Sequence, residues 1–266
     1  MKKALAAALL AFLILAAALT LGLSRYDYAF QDREATAAPS TAQHLAGTDE
    51  LGRDRMVRVS GALLIGLSGA TTAAALTTAI AASLGLLAAF SPTSVAKTLL
   101  FVSDVFLSLP WLFLLMMARS LLPLTASPLQ TAIMTFLVLA ALGWPACSRA
   151  IYRGAVNLRD SEWMIQGYAC GLKRRQLICT HLLPHLSSLF IPQFLVWIPA
   201  FMVAEANLGA LGLGIGEPMP SWGAMLLELN NTALLARSHW VYLPIALLVV
   251  ILMSFEFFMP EVETNA

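Results

Sequence analysis

The amino-acid sequence predicts an all-α polytopic membrane protein with about six transmembrane helices. Three observations carry that expectation. Of its 266 residues, 59% are hydrophobic and only 12% are charged, where an ordinary soluble domain has about 45–50% and about 25%. Mean hydropathy is +0.78. The charges are also absent from long stretches: only Lys97, Asp104 and Arg119 interrupt residues 60–148, and only Glu205, Glu217, Glu228 and Arg237 interrupt residues 176–255. Runs of about 20 apolar residues are what a helix needs to cross the hydrocarbon of a bilayer. A soluble enzyme does not fit this composition, and no basic stripe is left over to bind nucleic acid. The three cysteines, Cys147, Cys170 and Cys179, form no CxxC pair and no disulfide framework.

In chain order, residues 4–23 form the first span. Lys2 and Lys3 precede it, and its apolar run exceeds the core of a secretory signal, so we expect residues 1–23 to be a retained anchor. Residues 24–58 are polar, with Pro39 and a Gly47-Thr48-Asp49 turn, and make an extracytoplasmic segment. The core, 59–266, opens with an apolar run over 59–90, rich in the small residues that let membrane helices approach closely. Being longer than one span, that run should begin with an interfacial helix or a bend. Further spans are expected near 98–122, 129–151, 186–208 and 240–259, with a short helix near 224–235. The most charged loop, 149–185, separates the fourth and fifth spans. Lys and Arg are biased toward the cytoplasm. An N-terminus inside places Lys2, Lys3, Lys97, Arg149, Arg153, Arg159, Lys173, Arg174 and Arg175 there, nine of the sixteen basic residues. Both termini are therefore expected in the cytoplasm.

Much chemistry is missing. No phosphate-cradling GxxxxGK[ST], no HExxH and no GxSxG occurs, and the Gly-rich run 209–216 does not fit GxGxxG. Work on a solute must draw on an ion gradient or on another chain. Cys170, Cys179, His181 and His185 do not make a metal set, because Pro184 interrupts the helix that would align the two histidines and no carboxylate stands behind them. No cofactor is expected.

The 149–185 loop says most. Residues 162–175 read as a helix, with Asp160 or Ser161 as cap and Glu162 favoured in the first turn by the helix dipole. Trp163, Ile165, Tyr168, Ala169 and Leu172 give it an apolar side, and Gly171 lies near its end before three cations. Such a helix could dock on a cytoplasmic partner or lie on anionic headgroups, and the residues alone leave both open.

The segment SEWMIQGYACGLKRRQLICTHLLPHL (161–186) resembles the cytoplasmic loop of ABC importer permeases, whose pattern is Glu-Ala-Ala, three residues, Gly, nine residues, then Ile-x-Leu-Pro. Gly171, Leu183 and Pro184 match. Ile165, Gln166 and Gly167 stand where Glu-Ala-Ala would be, and His181 stands at the Ile position. Three further blocks resemble the dipeptide/oligopeptide/nickel branch of that family, closest to the second of its two permeases. They are GTDELGRDRMVRVSGALLIGLSGA (47–70), SDVFLSLP (103–110) with WPACSRAIYRGAVNLRDSEW (144–163), and AEANLGALGLGIGEPMPSWGAML (204–226).

The resemblance implies a type I ABC importer permease architecture. Its partners would be a second permease, two ATPase subunits that hydrolyse the ATP, an extracytoplasmic solute-binding protein and the lipid bilayer. The solute would most readily be a di- or oligopeptide. The helix carrying Glu162, Trp163, Ile165, Gln166, Gly167, Tyr168 and Gly171, with Leu183 and Pro184 beyond it, would be the coupling helix. Trp163 and Tyr168 would anchor it in an ATPase groove, since aromatic residues dominate such interfaces. A periplasmic gate or binding-protein dock would be built from Gly47, Asp49, Gly52, Arg53, Asp54, Gly212, Gly214, Pro220, Ser221, Trp222 and Gly223. Trp222 has an alternative reading as an interfacial anchor. Asp104 and Glu205 are pathway candidates, because carboxylates inside spans are costly and often functional. Asp104 could instead pair with Arg149 or Arg153, and Glu205 could hydrogen-bond to the glycine-rich loop. The rival class is a gradient-driven carrier or channel-like protein, which would want paired ionisable groups near the midplane.

Overall fold

The computed structural model describes residues 2–121, 123, 125–159, 161–177, 180 and 183–258, with the side chains of Trp163, Tyr168, Arg174, Arg175, Leu183, Ala233 and Arg237 outside that description. Eleven α-helices follow one another among these residues: α1 Lys2–Leu23, α2 Arg55–Phe90, α3 Thr93–Ser108, α4 Trp111–Ser120, α5 Pro128–Arg159, α6 Glu162–Ala169, α7 Arg174–Leu177, α8 Leu183–Ala210, α9 Trp222–Leu227, α10 Thr232–Arg237 and α11 Leu243–Glu256. The β structure among them is one isolated bridge between Thr48 and Asp54. Five helical segments are long and apolar enough to cross a membrane, and six if the bent pair α3–α4 counts as one span. The predicted all-α class and span count hold.

Helix α2 is the hub, packing against α1, α3, α5, α8 and α9. Its buried residues Ala70, Ala73, Ala74, Thr77, Ala81, Gly85 and Ala88 recur at helical spacing, and α5 answers with Thr135, Ala140, Gly143, Cys147 and Ala155. Small side chains let the two backbones come close, which is how helices gain packing energy where lipid supplies no hydrophobic drive. Thr77 donates its hydroxyl across the contact to the Ala140 carbonyl at 3.0 Å.

Three local expectations change. The 59–90 run has no interfacial break: α2 is continuous and starts four residues earlier, at Arg55. Asp54 caps it, accepting from the Val57 amide at 2.9 Å, and satisfies one of the donors a helix start leaves open. The third span is not one rod. Helices α3 and α4 meet at 91°, because Pro110 has no N–H to continue the ladder and forces Leu109 into extended backbone (φ −89°, ψ 141°). The loop helix is also shorter than 162–175. It stops at Ala169, and Gly171 turns the chain at φ +81°, with the Leu172 amide bonded back to the Gly167 carbonyl at 3.1 Å.

Candidate functional site

Two clusters of the predicted functional residues stand at opposite ends of α2, which is about 50 Å long at 1.5 Å per residue. At its Arg55 end, residues 24–54 fold into a cap closed by the 211–231 turn. Within GTDELGRD nearly every side chain has a partner. Thr48 accepts from the Ala38 amide at 2.9 Å and donates to the Ala35 carbonyl. Asp49 accepts from the amides of Leu51 and Arg53 at 2.9 and 2.8 Å, an Asx turn that shapes the loop. Gly52 lies at φ +76° with the Asp32 carbonyl directly against it, so that a Cβ would sit 1.9 Å from that oxygen. Asp54 pairs with His44 Nδ1 at 2.9 Å, and the Tyr26 ring stacks on that imidazole at 4.8 Å.

Three arginines join this cap to the distant turn. Arg53 binds Asp49 Oδ2 through Nε at 2.6 Å and Glu217 Oε2 through Nη1 at 2.5 Å. Arg58 lies 3.1 Å from Glu217 Oε1 and 3.6 Å from Asp49, and Nη1 reaches the Tyr28 and Pro218 carbonyls. Arg55 holds Glu228 at 2.7 Å. Glu50 accepts from the Asn231 amide. Arg55 and Arg58 are each 1% exposed, a depth at which a guanidinium persists only if paired. Burial works against the Arg53 charge, but hydrogen bonds and attraction from Glu217 and Asp49 outweigh it and raise its pKa above the ordinary arginine value.

The turn itself is backbone on backbone. Helix α8 ends in a Schellman motif: Gly212 at φ +75°, Leu213 amide to Leu208 carbonyl at 2.8 Å, Gly212 amide to Gly209 carbonyl at 2.9 Å. Gly209, Gly214 and Gly223 then touch, a Cβ on Gly223 falling 2.3 Å from the Gly209 Cα. Ser221 caps α9 by accepting from Ala224 N. Trp222 is fully buried against Gly66 of α2, so it is no interfacial anchor. Of the predicted dock residues, Gly47, Asp49, Gly52, Arg53, Asp54, Pro220, Ser221, Trp222 and Gly223 lie inside the cap, Gly214 is half-buried and Gly212 is exposed. They build the outer surface rather than form it.

At the other end of α2, α5 runs into α6. Ser161 sends its hydroxyl back to the Leu158 carbonyl at 2.5 Å instead of capping α6, and Asp160 lies outside the described residues, as do His181 and the side chains of Trp163, Tyr168 and Leu183. Met164 is buried, and Gly167 packs on Leu177. Glu162, Ile165, Gln166 and Ala169, one face at i, i+3, i+4 and i+7, are exposed, as are Gly171 and Pro184. Ile165 is 60% exposed. Arg159 ties this end to α2 through the Ala89 carbonyl at 2.8 Å.

A family model for binding-protein-dependent transport system inner membrane components matches residues 81–260. The chain belongs to this family of permeases. The permease is 30% identical over 230 residues to the oligopeptide transport system permease protein OppC of Mycobacterium bovis, covering 85% of this chain and 76% of the relative. OppC of Haemophilus influenzae is 27% identical over 241 residues, 87% and 74% of the two chains. The dipeptide permease DppC of Bacillus subtilis is 29% identical over 232 residues, 87% and 70%. The permease is thus a multi-pass membrane subunit of an ABC importer, and the gradient-driven alternative falls away.

Both pathway candidates have partners or neighbours. Asp104 of α3 forms an ion pair with Arg149 of α5. Glu205, fully buried on α8, is approached by the Ser221 hydroxyl and the Trp222 and Gly223 amides, though no hydrogen bond of full geometry closes on either oxygen. Sequence reasoning missed His44, Glu217 and Glu228 as members of the cap. Glu217 had one available signal: a lone charge in an apolar stretch, facing an Arg-x-Arg-x-x-Arg run that also needed counter-ions.

Proposed function

We propose that this permease carries di- or oligopeptides inward, working with a second permease, two ATPase subunits that hydrolyse the ATP and an extracytoplasmic solute-binding protein. The observation that carries the reading is the placement of an open helix face and a closed ionic cap at opposite ends of one bundle. In this reading the α6 end and both termini are cytoplasmic. Residues 1–23 are a retained anchor, 24–58 are extracytoplasmic, and 59–266 form the core with its coupling loop at 149–185.

The face of Glu162, Ile165 and Gln166 rests on an ATPase, with Gly167 and Gly171 shaping the helix and its exit. Closure of the ATPases on ATP pushes α6, and the helix bundle rocks between inward and outward access. Ile165 replaces a polar contact with an apolar one, so the paired groove is apolar there. The binding protein lands on the exposed residues that the cap holds up, among them Leu45, Glu50, Leu51, Leu211 and Glu217. Glu205, buried where α8 meets the start of α9, does not line a path. The test is copurification in mild detergent through a C-terminal tag, then uptake of a radiolabelled tripeptide into proteoliposomes. A second permease and ATPase subunits in the eluate, with ATP-dependent uptake, support the reading. A chain that purifies folded and alone sinks it.

A further inference from the structure

The Asp104–Arg149 pair joins α3 to α5, and its position gives it a role. Arg149 lies four residues beyond Pro145, which sits inside α5 and removes a backbone hydrogen bond there. The segment of α5 below that weak point, 146–159, leads directly into α6. Asp104 lies on α3, five residues before the Leu109–Pro110 bend. Beyond the bend, the last turn of α4 carries Arg119, whose Nη2 donates to the Gly214 carbonyl at 3.4 Å in the outer glycine turn. One line of contacts therefore runs from α6 through lower α5, Arg149, Asp104, the bent α3–α4 segment and Arg119 to the turn that closes the cap. Phe106 and Trp144, 5.8 Å apart, join the same two helices above the proline. Arg149 and Asp104 form the charged contact in this line, with side chains 32% and 52% exposed; both stand on segments apolar enough to span, where a lone charge is costly.

We propose that Asp104 and Arg149 are positioning residues that carry motion of the coupling loop to the outer turn, with the α3–α4 bend as the moving joint. The inference rests on the import reading above and adds to it a specific transmission element. A rigid pair of helices held only by small apolar contacts can slide; an ion pair placed below the proline makes α3 follow lower α5.

The test needs no transported solute. A Leu211→Cys reporter on the exposed outer turn is introduced into a chain with Cys147, Cys170 and Cys179 replaced by alanine. Its reaction with a membrane-impermeant maleimide is timed with and without ATP and vanadate, in the complex with its ATPases. With the pair intact the rate changes about fivefold or more, the scale of a typical coupling between sites. Asp104→Arg alone and Arg149→Asp alone hydrolyse ATP but lose the change, and the two together restore it. Asp104→Asn, which keeps the shape, covers the case in which a reversal fails to fold, and it too blunts the response. A response that survives both single reversals or the Asn variant, a swap that assembles without restoring it, or no response with the pair intact each overturns the proposal. ATPase copurification with the native chain is scored separately, so that its absence counts against the import reading itself.

Discussion

The two ends of α2 solve opposite problems. At the cap, three arginines and the carboxylates of Asp49, Glu217 and Glu228 are spent on one another, and the side chains that resemble family motifs are mostly inside. At the α6 end, Met164 is turned inward and Ile165 and Gln166 are left exposed. The difference separates two meanings of a motif in one chain. The cap blocks specify a shape, and the loop motif leaves an exposed helix face, which the proposed reading assigns to a partner.

That contrast can be broken by substitution, and the largest effect belongs to the cap. Arg58→Ala leaves the half-exposed Glu217 with Arg53 alone and strips the Tyr28 and Pro218 carbonyls of a charged donor, and should cost about 1.5–3 kcal/mol, the usual range for hydrogen bonds to a charged group. Thermal unfolding in detergent measures it, and a variant as stable as the parent would mean the network is ornamental. Asp54→Ala is smaller, about 0.5–2 kcal/mol for a lost helix cap, read by the same melt; an unchanged midpoint would deny Asp54 its capping role. Ile165→Ala should change stability least, within about 0.5 kcal/mol as for an exposed site, yet lower ATPase stimulation in the assembled transporter. If its melt shifted more than that of Asp54→Ala, the open face of α6 would be structural after all.

Part of this was legible from the residues alone. The spans could be read because uncharged runs have few other uses, and the loop motif because its spacing is short-range. The α3–α4 break was written in Pro110, inside a block already singled out, but hydropathy averages over a single proline and saw one span. The cap network was out of reach for a different reason. Arg53 meets Glu217 across 164 residues, and Arg55 meets Glu228 across 173. No local pattern pairs residues so far apart; the fold of α2 against α8 and α9 does. The Asp104–Arg149 pairing lay between these cases, since two lone charges in neighbouring spans leave few choices of partner.

The contact of Gly209, Gly214 and Gly223 reaches beyond mechanics. Every other amino acid carries a Cβ, and that atom would fall 2.3–2.5 Å from a neighbouring Cα at each of the three positions. No single-base change that replaces the glycine therefore yields a tolerated residue there. In a saturation library scored for folded protein in the membrane, these positions should return almost nothing but glycine, while the exposed Leu211 between them accepts most of the alphabet.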